Sequence, residues 1–165
     1  MTILKKINNK RLFKIISFFL MVGWICFIFS LSLQPASESS AVSKGLLTNI
    51  LEFFYSLTNI RIDVLTFHNI FRTFAHFTEF FVLGILSILF YFSAMKKRPV
   101  YAVITGFSVA ICDELIQYFF AEGRAMQIED IAVDFSGIVF STIIYFLFYK
   151  IYLNRKYAKK LNNTF

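Results

Sequence analysis

Cysteine is scarce in this chain. Cys26 and Cys112 are the only two, and both lie inside apolar runs. That excludes a disulfide framework and a cysteine-based metal cluster, and leaves small packing residues as their expected role. Internal repeats and low-complexity linkers are absent, as is the elbow motif that would activate a serine nucleophile. Charge is thin too, at 16% of 165 residues, with ten acidic against seventeen basic side chains. What fills the space is apolar: 58% hydrophobic residues, including 23 phenylalanines. An ordinary soluble domain holds about 45–50% apolar residues, and a soluble core of this size could not bury so many aromatic rings.

Four stretches approach the roughly 20 apolar residues that cross a bilayer. They are Ile15–Leu33, Phe74–Phe92, Val100–Phe120 and Ile131–Tyr149. Isolated strands cannot satisfy their backbone in lipid, so the runs predict an all-α membrane protein, a bundle of four transmembrane helices. Thirteen of the basic residues flank the same ends of these runs. Lys5, Lys6, Lys10, Arg11 and Lys14 precede the first, Lys96, Lys97 and Arg98 join the second to the third, and Lys150, Arg155, Lys156, Lys159 and Lys160 follow the fourth. The positive-inside rule then places both termini in the cytoplasm of a multi-pass plasma-membrane protein. The net charge of +7 is thus a topology signal that expects anionic lipid, not nucleic acid, as its partner. The first run resembles a secretory signal, but its length of about 19 residues exceeds the 7–15 of a signal core and predicts an uncleaved anchor.

The chain reads as one domain over residues 1–165, with its long connection, Gln34 to Phe71, outside. Within it, Leu46, Leu47, Ile50, Leu51, Phe53, Phe54 and Leu57 recur at helical spacing and predict an amphipathic helix on the outer surface. A solvated helix on a partner domain is the plainer alternative. The other outer connection, Ala121 to Asp130, is short and dense in charge.

All ten acidic residues lie on the side away from the basic clusters, and Asp113, Glu114 and Asp134 sit within the runs. A carboxylate in hydrocarbon costs on the order of 3 kcal/mol, so it needs a partner or a task. Arg72, His76 and Glu79 share a face of span two, Asp113 and Glu114 each fall within a turn of Gln117 on span three, and Asp130, Asp134 and Gly137 share a face of span four. Asp113 and Glu114 are about 100° apart on their helix, so one is expected to face a chamber while the other pairs with Arg72 or Arg124. Five carboxyls against two arginines and one histidine leave negative charge that calls for protons, a cation or a cationic ligand.

Three readings compete: a satisfied hydrogen-bond network that fixes helix register, a binding or catalytic pocket, and an ion path. The path is disfavoured because spans one and four offer only serine and threonine deeper down. His76 with Glu79 one turn on could form a general-base pair, with Asp113 a further catalytic candidate. His76 could also join Asp113 and Asp134 around a divalent cation, although no two-histidine metal spacing is present. Ser37, Ser39, Ser40 and Ser43 read as loop residues or helix caps before nucleophiles.

These residues resemble the VanZ-like family of small bacterial membrane proteins. The resemblance runs through Ser32-Leu33-Gln34-Pro35, then Arg72-x3-His76-Phe77-x-Glu79-Phe80-x2-Leu83-Gly84, then Asp113-Glu114-x2-Gln117, Arg124 and Asp130-x3-Asp134-x2-Gly137. The segment from Asp113 through Arg124 to Asp130 is its most specific part. Asp134 stands where the family more often has asparagine, and Arg72 where lysine is common. The resemblance implies reduced susceptibility to lipid-tailed glycopeptide antibiotics such as teicoplanin, with no established reaction or cofactor. Lipoglycopeptides and lipid-linked wall precursors both place a polar head at the outer leaflet, where the expected pocket comprises Arg72, His76, Glu79, Asp113, Glu114, Gln117, Arg124, Asp130 and Asp134. A membrane-embedded hydrolase or transferase on a lipid-linked substrate is the alternative, with a non-enzymatic role slightly ahead.

Overall fold

The computed structural model describes residues 2–35, 45, 48–53, 55–60, 63–94 and 99–162. It is all-helical among them. The long helices are α1 (Thr2–Ser32), α2 (Val64–Ala94), α3 (Val100–Phe120) and α4 (Ile128–Asn162). Each contains a segment long and apolar enough to cross a membrane: Asn9–Ser32, Val64–Ser93, Val100–Phe120 and Ile128–Lys156. The chain is a multi-pass membrane protein.

The helices run up and down in turn, so one end of the bundle collects Lys10, Arg11 and Lys14 of α1 with Lys150, Arg155 and Lys156 of α4. We call the opposite end, where α1 stops and α2 starts, the acidic end. Helix α2 is the hub. It touches all three others and meets α4 most extensively, whereas α1 and α4 do not meet among the described residues. The core is a thin seam of Met21, Ile28, Phe80, Leu83, Val109, Ala110 and Ile138. The Trp24 indole N–H on α1 donates to the Glu79 backbone carbonyl on α2 at 2.9 Å, and the Tyr91 hydroxyl on α2 lies 2.7 Å from Thr105 Oγ1 on α3.

Most of the apolar surface faces outward, including Phe19, Phe119, Phe120 and Phe148. No span buries more than 39% of its apolar window against its neighbours. In water such a surface would aggregate; in a bilayer it is the ordinary exterior. Cys26 and Cys112 belong to it. Both are exposed rather than packed between helices, which corrects the expected role, and acyl chains tolerate a small thiol as readily as a core does.

Small residues set how close the helices come. A Cβ on Gly137 of α4 would lie 2.5 Å from the Phe77 carbonyl oxygen and 2.9 Å from the Phe81 nitrogen of α2. Without a hydrophobic drive between helices in lipid, such close backbone approach supplies much of the association energy.

Helix α2 begins about three turns before the apolar run does. Asp63 caps it, accepting from the Thr66 backbone N–H and from the Thr66 hydroxyl, both at 3.0 Å. Those bonds hold the exposed Asp63 carboxyl below its ordinary pKa. At 31 residues and about 1.5 Å per residue, α2 reaches about 46 Å, well beyond the ~30 Å hydrocarbon layer. The long connection is therefore shorter than the span pattern suggests, ending at Asp63 rather than Phe71. Within it, residues 48–53 and 55–58 are helical, with Phe53 and Leu57 well exposed. Asn59 closes that helix in the left-handed conformation at φ 56°, its N–H bonded to the Tyr55 carbonyl. Leu46, Leu47, Phe54 and the serines at 37, 39, 40 and 43 lie outside the described residues. The last connection, Ala121 to Gln127, turns at Gly123, whose φ of 76° favours glycine.

Candidate functional site

The acidic end holds a cavity of about 240 Å³ whose walls include Ser32 from α1, Arg72, His76 and Glu79 from α2, and Asp113 and Gln117 from α3. Arg124 from the last connection also lines it. Apolar walls come from Leu31, Phe71 and Ala75. Six of the nine residues expected from the sequence therefore share one cavity; Glu114, Asp130 and Asp134 do not line it, and each has a different assignment.

Asp113 sits at the centre of a chain of hydrogen bonds. It is 1% exposed. Its Oδ1 accepts from the Ser32 hydroxyl at the end of α1, and its Oδ2 accepts from Gln117 Nε2 at 2.8 Å. The Gln117 amide orientation is forced, because Arg124 Nη1 donates to Oε1 at 3.0 Å and a guanidinium can only donate. Three elements are thereby tied through one carboxylate. The spacing of four between Asp113 and Gln117 is what places both on the same helix face.

His76 on α2 meets Asp134 on α4, with Nδ1 3.1 Å from Oδ1. Sequence spacing offered Glu79 as the orienting partner; in three dimensions Asp134 takes that place. Gly137, one turn along α4, allows the two helices near enough for the contact. The Glu79 carboxyl forms no hydrogen bond or ion pair among the described residues and faces the cavity.

Glu114 points the other way around α3. It is fully buried, and its Oε2 accepts from the Gln127 backbone N–H at 2.8 Å, just ahead of α4. Asp113 faces the chamber as expected, but Glu114 pairs with a backbone amide instead of an arginine. The reason is geometric: the last connection folds back over α3, and an unpaired N–H at a helix start attracts an acceptor.

Arg72 pairs with Asp130, a residue of α4's first turn. The arginine side chain is 38% exposed and the aspartate 10%. Removing Arg72 should leave Asp130 short of a countercharge, softened by the helix dipole. We expect Arg72→Ala to cost about 1–2 kcal/mol, less than a fully buried pair because water reaches one partner. Adding Asp130→Asn should restore most of the loss, read as the thermal midpoint of the purified protein.

Arg124 has no carboxylate bonded to it among the described residues. Partial burial lowers its pKa most, the nearby Arg72 guanidinium lowers it further, and Asp113, Glu114 and Asp130 act in the opposite sense. Arginine keeps its proton regardless. Two guanidinium groups thus share one cavity.

His68 and Ser32 join the cavity beyond the residues that helical spacing within the apolar runs picks out. His68 lines the cavity one turn before Arg72, and the signal was available: residues 68, 72 and 76 follow at spacings of four. It was hidden by starting span two at Phe74. Ser32 lay in a motif that means little alone. Farther toward the basic end the buried polar side chains are Ser17, Ser87 and Ser141, with no buried ionisable group among the described residues. A second depression there, lined by Asn9, Lys10, Phe13, Phe92 and Ser93, brings no carboxyl group together.

Fold and site define a class: a small four-helix membrane protein that concentrates its buried ionisable groups at one end. A family model described as VanZ/LLP1 matches residues 17–149, and the chain belongs to that family. No curated protein and no solved structure matches it.

Proposed function

We propose that this protein sits in the plasma membrane with both termini inside, and that its cavity opens to the exterior and receives the polar head of an amphiphile. The occupant would be a lipid-tailed glycopeptide such as teicoplanin or a lipid-linked wall precursor, and capture would lower susceptibility to the drug. One observation carries this reading: two arginines and an unpartnered glutamate line a cavity at one end of an otherwise apolar bundle. The arginines suit phosphate or carboxylate. Glu79 suits an amine or hydroxyl.

Size narrows the reading. At about 240 Å³ the cavity falls below the usual 300–1,000 Å³ of drug-sized pockets, so only a head-group fragment enters. The tail would lie along outward phenylalanines.

We expect cells carrying His76→Ala or Asp113→Asn to lose the uptake of labelled teicoplanin and the susceptibility shift seen with the wild-type protein. Unchanged uptake and susceptibility in both, with normal protein levels, would overturn the reading. The His76–Asp134 contact favours one second reading, a hydrolase or transferase in which His76 is the base and Asp134 orients it. Mass spectrometry of envelope lipids incubated with purified protein separates the two, since binding alone yields no product.

A further inference from the structure

We propose that His76, Asp113 and Asp134 bind one divalent transition-metal cation beside the cavity, two of whose lining residues are His76 and Asp113. The three residues come from three different helices, yet one donor atom from each lies within 4.8 Å of the others. A tetrahedral cation with bonds of about 2.1 Å holds its donors about 3.4 Å apart. Even the widest pair need close by no more than about 1.4 Å, shared between two side chains, to seat it. All three side chains are buried.

A separate feature points to the same ligand. Asp134 is 0% exposed, and its Oδ1 is taken by His76. Its Oδ2 has no hydrogen-bond partner. Buried carboxylate oxygens are nearly always satisfied, and this one belongs to a residue of the three-donor cluster. The surroundings match as well. Ligating carboxylates are usually held by further hydrogen bonds, and Asp113 is held by Ser32 and Gln117.

The donor set chooses the ion class. One imidazole and two carboxylates suit zinc or manganese, whereas calcium and magnesium take oxygen donors alone. Three protein donors leave a coordination position open. His76 and Asp113 line the cavity that Arg72 and Arg124 also line, so water or an anionic oxygen held there could fill that position. Metal binding does not depend on any amphiphile entering, so its test leaves the head-group reading untouched.

The test uses the full chain in detergent micelles, stripped with a chelator and titrated with zinc or cobalt. We expect one equivalent of metal and a cobalt absorption spectrum typical of a nitrogen–oxygen site. Asp134→Asn, which keeps size and a hydrogen bond to His76, should weaken binding about tenfold or more, as should His76→Gln. Glu122→Gln, in the exposed last connection, should bind as wild type does. Circular dichroism and elution volume report folding. If either ligand variant fails to fold, the wild-type titration and the other variant decide. No stoichiometric uptake by the wild type, or equal uptake by both folded ligand variants, overturns the proposal.

Discussion

Replacing Gly137 with leucine should prevent the folded protein from accumulating, and Gly137→Ala should destabilise it measurably. Alanine is favoured over glycine in a helix by about 1 kcal/mol, which alone would predict a gain. The opposing effect is larger. A methyl at 137 would lie 2.5 Å from one backbone atom of α2 and 2.9 Å from another, and backbone cannot rotate away. Forcing extra atoms into a tight interface costs about 1–3 kcal/mol, so alanine should lose on balance. Leucine would part α2 from α4 altogether. His76 and Phe77 are adjacent on α2, and Asp134 lies one turn from Gly137 on α4. Separation there must pull His76 from Asp134. The prediction is checked by resistance of the purified variant to heat or denaturing detergent.

Gly106 provides a control that pure proximity would rank the other way. A Cβ there would come within 1.7 Å of Ile138 Cδ1, closer than anything at Gly137. Yet the obstacle is the end of a flexible side chain. Gly106→Ala should therefore be milder, and Ile138→Val should relieve much of the cost. If Gly106→Ala proves worse than Gly137→Ala, backbone contact is not what limits the α2–α4 interface.

The spans were legible because lipid imposes a length and composition on anything that crosses it, and Val100–Phe120 agrees at both ends with the observed helix. Helix ends outside the apolar runs were less visible. Asp63 with Thr66 marks the start of α2 by capping chemistry, which hydropathy does not weigh, and missing it hid His68. Helical spacing identified the residues that line the cavity, since one face of a helix is a local property. Pairing across helices is not local. Asp134, not Glu79, meets His76 because Gly137 brings α4 against α2, and Glu114 turns to Gln127 because the last connection folds back. Neither follows from periodicity within one helix.

Asp113 allows the network and pocket readings to be separated, through two substitutions that differ in one respect. Asp113→Asn should leave stability nearly unchanged. Its amide oxygen can accept from Gln117 Nε2, and its NH2 can donate to the Ser32 oxygen once that hydroxyl turns, so each neighbour keeps a partner. Only the charge disappears. Asp113→Leu, branched at the same atom but larger and without polar atoms, strands the Gln117 amide in a buried site, while the Ser32 hydroxyl keeps the Ile28 carbonyl as its acceptor. That orphaned donor costs about 1–3 kcal/mol, and the Gln117 amide cannot turn to find another partner while Arg124 holds its oxygen. Leucine should therefore lower the thermal midpoint clearly where asparagine does not. If the cluster served helix register alone, the asparagine protein would keep both its fold and its effect on teicoplanin uptake. A pocket that uses the carboxylate predicts a folded protein with that effect lost. Thermal midpoints and uptake measured on the same two variants separate these outcomes, because an intact fold without uptake can arise only if the negative charge itself meets a ligand.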